Sequence, residues 1–132
     1  MTRNRHRRSA CTYALVLAAL AGAGTANAQD PGAVERGRDT FEYMCAPCHG
    51  DGPGDDGRAM LPGTDALRLK YRGALPALLT ERSDLTYESI RMFVRQGIFS
   101  MPPFRPTELT DDEIRDIAAY IADSSGRSAD ES

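Results

Sequence analysis

A mostly α-helical fold is predicted by three observations. Apolar residues recur at helical intervals in several segments. No stretch alternates apolar with polar residues in the way a half-buried strand does. Glycine, proline and aspartate cluster between the periodic segments, where they interrupt a helical chain. The chain has 132 residues, enough for one domain, and no internal repeat.

Residues 1–28 have the three parts of a secretory leader. Arg3, Arg5, Arg7 and Arg8 form a basic start, and Ala14 to Ala23 an apolar run. Ala26-Asn27-Ala28 is a small-residue cleavage site, which places the cut before Gln29. The apolar run is short of the ~20 residues of a membrane span. An uncleaved anchor is the alternative, but no stable membrane insertion is expected after cleavage. Arg7-Arg8 is a poor match to a twin-arginine signal, and Cys11 lies upstream of the position a lipid-bearing cysteine needs. The reading is an exported, periplasmic protein with one domain over 29–132, an ordered core over about 33–123 and a polar C-terminal tail.

Without the leader, 12 basic residues face 19 acidic ones, a formal charge of −7, and Lys70 is the only lysine. That balance argues against nucleic acid or an anionic membrane surface as partner. It suits a basic or neutral face on a partner protein, or simply keeps an exported chain in solution.

The helical segments follow in order. Val34, Gly37, Phe41 and Met44 predict a helix over 33–44. Residues 50–57 form a loop rich in glycine and aspartate, and 60–64 are expected to be irregular around Pro62. Residues 66–71 and 76–80 are short helical candidates. Ile90, Phe93 and Val94 share a face in a helix over 86–96 that Gly97 terminates. Pro102, Pro103 and Pro106 exclude helix from 98–106. Thr110-Asp111-Asp112-Glu113 is a capping box, with acids at the positive end of the helix dipole. Ile114, Ile117, Ala118 and Ile121 form the stripe of the helix that follows, which ends near 124–126.

The chemistry sits in Cys45-Ala46-Pro47-Cys48-His49-Gly50. A C-x-x-C-H run is the signature of covalent c-type haem attachment. Two thiols at that spacing add to the two vinyl groups of one porphyrin, and the next residue offers an imidazole to the iron. A six-coordinate iron needs a second axial ligand, and a soft thioether favours the ferrous state. Met44 adjoins Cys45 and cannot reach the opposite face. Met92 lies in a predicted helix, where a methionine usually packs. Met101 sits in a proline-braced loop, Ser100-Met101-Pro102-Pro103-Phe104, and is the expected ligand, with Met60 as the alternative. The expected cofactor is one covalently bound haem c with its iron.

These residues resemble a class I c-type cytochrome, over most of 33–123. In that family a glycine and an aromatic precede the haem motif at fixed spacing, as Gly37 and Phe41 precede Cys45. The last helix crosses the first with an aromatic at the contact, a role that Tyr120, beside Ile117, matches. A glycine there permits close approach of two helices. The resemblance also implies a proline after the motif, whose preceding loop backbone accepts the histidine Nδ1–H. Pro62 is the better match and Pro53 the lesser one. The implied fold is helices packed around one covalently bound haem, and the implied function is one-electron transfer rather than catalysis.

A narrower resemblance runs from Tyr87 to Tyr120. Val94-Arg95-Gln96-Gly97-Ile98 and Met101-Pro102-Pro103-Phe104 are similar to segments of small cytochromes serving periplasmic dehydrogenases. These include flavin-dependent hydroxylases of the p-cresol type and quinoprotein alcohol dehydrogenases. It implies a redox partner protein with a flavin or quinone cofactor as donor, and a terminal acceptor. The loop after His49 is more acidic and glycine-rich than the family pattern.

Other chemistries fit less well. A thiol–disulfide oxidoreductase using Cys45 and Cys48 would need a preceding strand, and none is predicted. Zinc would find three ligands at most, since the other histidine, His6, is in the leader. Gly52-Pro53-Gly54-Asp55-Asp56-Gly57 matches G-x-G-x-x-G only formally. No strand leads into it, and Asp51, Asp55 and Asp56 would repel phosphate. The spacing of those acids is not that of a calcium loop. With His49 committed to iron, no histidine remains as a general base. Arg91, Arg95 and Arg105 are candidates for docking, for pairing with haem propionates, or for ordinary surface ion pairs.

Overall fold

The computed structural model describes residues 30–126. The expected leader, its cleavage site before Gln29, Cys11 and the end of the polar tail lie outside the described residues. Among the described residues five α-helices follow one another: α1 Pro31–Met44, α2 Ala46–His49, α3 Pro62–Tyr71, α4 Tyr87–Gln96 and α5 Asp111–Ser124. A 3-10 turn, Leu79–Glu81, stands where residues 76–80 were expected to be helical. Among the described residues there is no strand, and one isolated bridge joins Ile98 to Met101.

Local chemistry sets most helix ends. α1 begins two residues earlier than its apolar spacing predicts. Asp30 accepts the N–H of Gly32 at 3.0 Å, and Pro31 occupies the first turn, where its missing N–H costs nothing. The same physics corrects the reading of 60–64 as irregular. Pro62 opens α3 instead of breaking it, because its fixed φ already suits a first helical residue. Thr86 and Ser89 cap α4 reciprocally, at 2.9 and 3.3 Å. Gly97 ends α4 at φ +67°, a conformation glycine adopts without strain. The Thr110 capping box forms as the sequence predicts, with Glu113 accepting the Thr110 N–H at 2.7 Å.

The core is small. Phe41, Leu85, Ile90, Val94, Leu109, Ile114, Ile117 and Ile121 are buried together. Ile114, Ile117 and Ile121 carry the stripe of α5 inward, while Ala118 packs at its margin. α1 packs against α5, the most extensive contact between elements. Gly37 is the point of closest approach. A Cβ there would stand 1.9 Å from the Asp116 carbonyl oxygen and 3.0 Å from the Ile117 nitrogen. One helical turn on, the Phe41 and Tyr120 rings meet at 5.4 Å. Beside the crossing, Arg36 donates from Nε and Nη2 to the two Asp116 carboxylate oxygens, at 2.7 and 3.2 Å.

Alanine at position 37 raises intrinsic helix propensity by about 1 kcal/mol. The backbone overlap at 1.9 Å outweighs that gain, because α5 itself must move. Gly37→Ala is therefore expected to destabilise the haem-loaded protein by about 1–3 kcal/mol, the usual cost of overpacking. Urea unfolding followed by circular dichroism measures it; an unchanged midpoint would show that the helices do not touch there.

Candidate functional site

The site grows out of the end of α1. Cys45 closes that helix, its N–H donating to Phe41 O at 2.8 Å. It also opens the single turn of α2, where its carbonyl accepts from Cys48 N at 3.1 Å and His49 N at 2.8 Å. Residues i, i+3 and i+4 of a helical turn share a face, so Cys45, Cys48 and His49 are held on one side. Pro47 suits a first turn. Both thiols are free, Cys45 partly buried and Cys48 exposed.

The thiol of Cys45 is pushed up to about 11, first by burial and then by Cys48 beside it. A catalytic redox cysteine needs the opposite shift, toward the thiolate. This disfavours the thiol–disulfide alternative. Burial also lowers the His49 pKa, which keeps the imidazole neutral, the form that binds a metal.

α3 backs the histidine. Gly63 stands against the ring: a Cβ there would fall 2.7 Å from His49 Cε1, 2.8 Å from Nδ1 and 2.8 Å from the Cys48 carbonyl oxygen. Thr64 is buried, and its hydroxyl donates to Gly50 O at 2.9 Å, tying α3 to the residue after the motif. The Pro62–Gly63 step thus lies beside the ring, yet His49 Nδ1 is buried with no hydrogen-bond partner among the described residues. The carbonyl acceptor that the resemblance implies near Pro62 is not engaged in this structure. Neither Gly63 nor Thr64 stands out in the sequence. A glycine just after a helix-opening proline was the one available signal.

Of the candidate thioethers, Met101 packs against the main core, as do Cys45 and Ala46. Met92 is exposed on α4, and Met44 and Met60 are partly buried. Met101 sits on a tight turn. Ile98 N donates to Met101 O at 3.1 Å and Met101 N returns to Ile98 O at 2.9 Å. A Cβ on Gly97 would lie 2.6 Å from Met101 O and 3.0 Å from Pro103 N, so the turn folds directly onto the end of α4. Phe99, at its tip, is fully exposed and takes φ +50°, which is uncommon for a bulky residue.

The arginines named in the sequence mostly pair with acids. Arg91 and Arg95 share Asp111 at 3.1 and 2.6 Å, and Arg105 pairs with Glu108 at 2.7 Å. Hydrogen bonds from Arg95 and then Arg91 hold the Asp111 carboxyl below its usual range.

Free thiols on one helical face, a neutral imidazole backed by a residue with no side chain, and a thioether on the same core as Cys45 are the donor set that haem c takes. They define the class of protein, a small helical c-type cytochrome. The family model described as "Cytochrome C oxidase, cbb3-type, subunit III" matches residues 32–121, and the chain belongs to that family. Among solved structures, cytochrome c6 from the diatom Phaeodactylum tricornutum is similar. It is 28% identical, with a TM-score of 0.43, and the match covers 72% of this chain and 97% of that one. No curated protein sequence matches. Membership makes the chain an electron-transfer protein rather than an enzyme, with covalently bound haem c and its iron as cofactor. Among the described residues no helix is long and apolar enough to cross a membrane.

Two outcomes test this geometry. Gly63→Ala is expected to lower the yield of haem-loaded protein severalfold, read from absorbance per polypeptide, because a methyl group must displace the His49 ring. Asp111 predicts an acid limb. Its depressed folded pKa gives stability that is present above about pH 4, the unfolded value, and is lost as pH falls through the folded value. Asp111→Asn should therefore lower Tm at pH 7, and lower it progressively less as pH falls below about 4.

Proposed function

We propose that Cys45 and Cys48 would hold the porphyrin as thioethers and that His49 and Met101 would coordinate its iron. When bound, the group supplies one iron that exchanges a single electron between its ferric and ferrous states. The observation that carries the reading is the α2 turn, which holds both thiols and the imidazole on one face. The chain's own part is to hold. α1 and α5 fix the motif, α3 limits the movement of the His49 ring, and the Gly97–Pro103 turn presents the thioether. Pro62 contributes by starting α3 where Gly63 meets that ring. Loading is expected to bring a loop carbonyl near Pro62 to His49 Nδ1, a bond that would set the ring's tautomer and tune the iron.

The proposed setting is the periplasm, supported by the leader-like sequence of 1–28. The proposed donor is a dehydrogenase with a flavin or quinone cofactor, and a terminal acceptor takes the electron on. The resemblance over 87–120 and the charge of −7 on the chain without its leader support a partner with a basic docking face.

Expression in a periplasm with haem-attachment machinery tests the whole reading. The wild type is expected to be coloured, with a thioether-type haemochrome spectrum, and Cys45→Ser combined with Cys48→Ser to abolish the covalent attachment. Met101→Ala should remove the far-red methionine–iron absorption and lower the reduction potential by about 0.1 V or more, within the ~0.8 V that axial ligands span. A colourless wild type with two titratable thiols would refute the haem reading. If a dehydrogenase of the proposed kind is the donor, its rate of reducing this protein should fall as salt rises.

A further inference from the structure

The segment that carries Met101 is poor in backbone donors. Pro102 and Pro103 have no N–H, so Phe104 is the first residue after Met101 able to donate one. Both backbone groups of Phe104 are held by α4. Its N–H donates to Val94 O at 2.8 Å, and its carbonyl accepts from Arg95 Nη1 at 3.0 Å. Arg95 Nη2 reaches on to Asp111 Oδ1 at 2.6 Å, while Arg91 Nε takes the other oxygen at 3.1 Å. One side chain therefore joins α4, the exit of the Met101 turn and the first residue of α5.

Arginine is a costly residue for that place. Its side chain is 14% exposed, and its Nε is buried without a partner among the described residues. An apolar side chain of similar length would remove that donor but leave Phe104 O and Asp111 Oδ1 without their Arg95 partner. The planar fork of arginine holds both acceptors in set directions at once.

We propose that Arg95 is a positioning residue for the axial thioether. By pinning Phe104 to α4 and α5, it fixes the exit of the turn and sets how firmly Met101 is kept at the iron. This rests on the reading of Met101 as ligand. Without the Arg95 fork the Phe104 carbonyl is released. The Phe104 N–H bond to Val94 O, the Ile98–Met101 bonds and the stiffness of two prolines are left to restrain the turn, and the thioether is displaced more easily.

The test compares haem-loaded wild type with Arg95→Met, Arg95→Lys and Asp111→Asn. Imidazole, neutral at high pH and so indifferent to the altered charge, is titrated into the ferric protein while the far-red methionine–iron absorption is followed. Its apparent affinity rises with the fraction of molecules whose thioether is off. Amide hydrogen exchange on the ferrous protein reports the turn directly. Arg95→Met is expected to bind imidazole about tenfold more tightly. Its Met101 and Phe104 amides should exchange about fivefold faster or more, with Ile114 and Ile117 unchanged. Arg95→Lys, which keeps the charge and loses the fork, should fall between. Imidazole affinity and turn exchange equal to wild type would overturn the proposal. If Arg95→Met loosens the whole molecule, Asp111→Asn decides: exchange at Met101 and Phe104 raised more than at Ile114 and Ile117 supports the role, and an equal rise at all four overturns it. A wild type without the far-red absorption refutes the Met101 reading and with it the axial role. The exchange result then shows separately whether Arg95 pins the turn.

Discussion

A backbone touching a backbone is the constraint on which the rest depends. At Gly37 the α1 helix comes so close to the Asp116 carbonyl that no side chain fits between them. This fixes the angle and depth at which the terminal helices cross. The haem motif begins eight residues later, on the same rigid rod, because Cys45 is still hydrogen-bonded to Phe41. The crossing therefore sets where Cys45, Cys48 and His49 stand relative to the core. Phe41 against Tyr120 and Arg36 against Asp116 lock the same contact from two sides.

From that crossing the two halves of the site are held by different means. The histidine half is covalently continuous with α1 and is backed by α3 through Gly63 and Thr64. The methionine half hangs on α4 and α5, which meet it through Gly97, Phe104 and Asp111. Both halves rest on one small core, since Cys45 and Met101 pack against the same cluster. For an electron carrier this division is useful. With His49 and Met101 as the proposed ligands, rigid support on both sides would hold them in place when the charge on the iron changes, and little structural rearrangement would accompany each transfer.

Much of this was legible in the sequence, for identifiable reasons. The stripe of α5, its capping box, the glycine-to-cysteine spacing and the haem motif depend on neighbours three or four residues apart, and short-range spacing is what a sequence displays. Pro62 was misread because proline both breaks and begins helices, and only the downstream register decides which. Gly63 and Thr64 were invisible because their partners, the His49 ring and Gly50 O, lie some fourteen residues back. Arg95 was one of three arginines with an undecided role. Its partners on Phe104 and Asp111 are brought to it by the turn between α4 and α5.

The sequence by itself determined the helical class, the covalent haem motif and the short set of methionines from which a ligand could come. These follow from periodicity and bond chemistry, which act over a few residues. The tertiary structure decided which methionine shares a core with Cys45, which residue stands against the imidazole and which arginine grips the turn. Those choices depend on distances between segments remote in the chain. Such distances exist only after the helices have packed, because the depth of a crossing is set by the atoms on both sides of it.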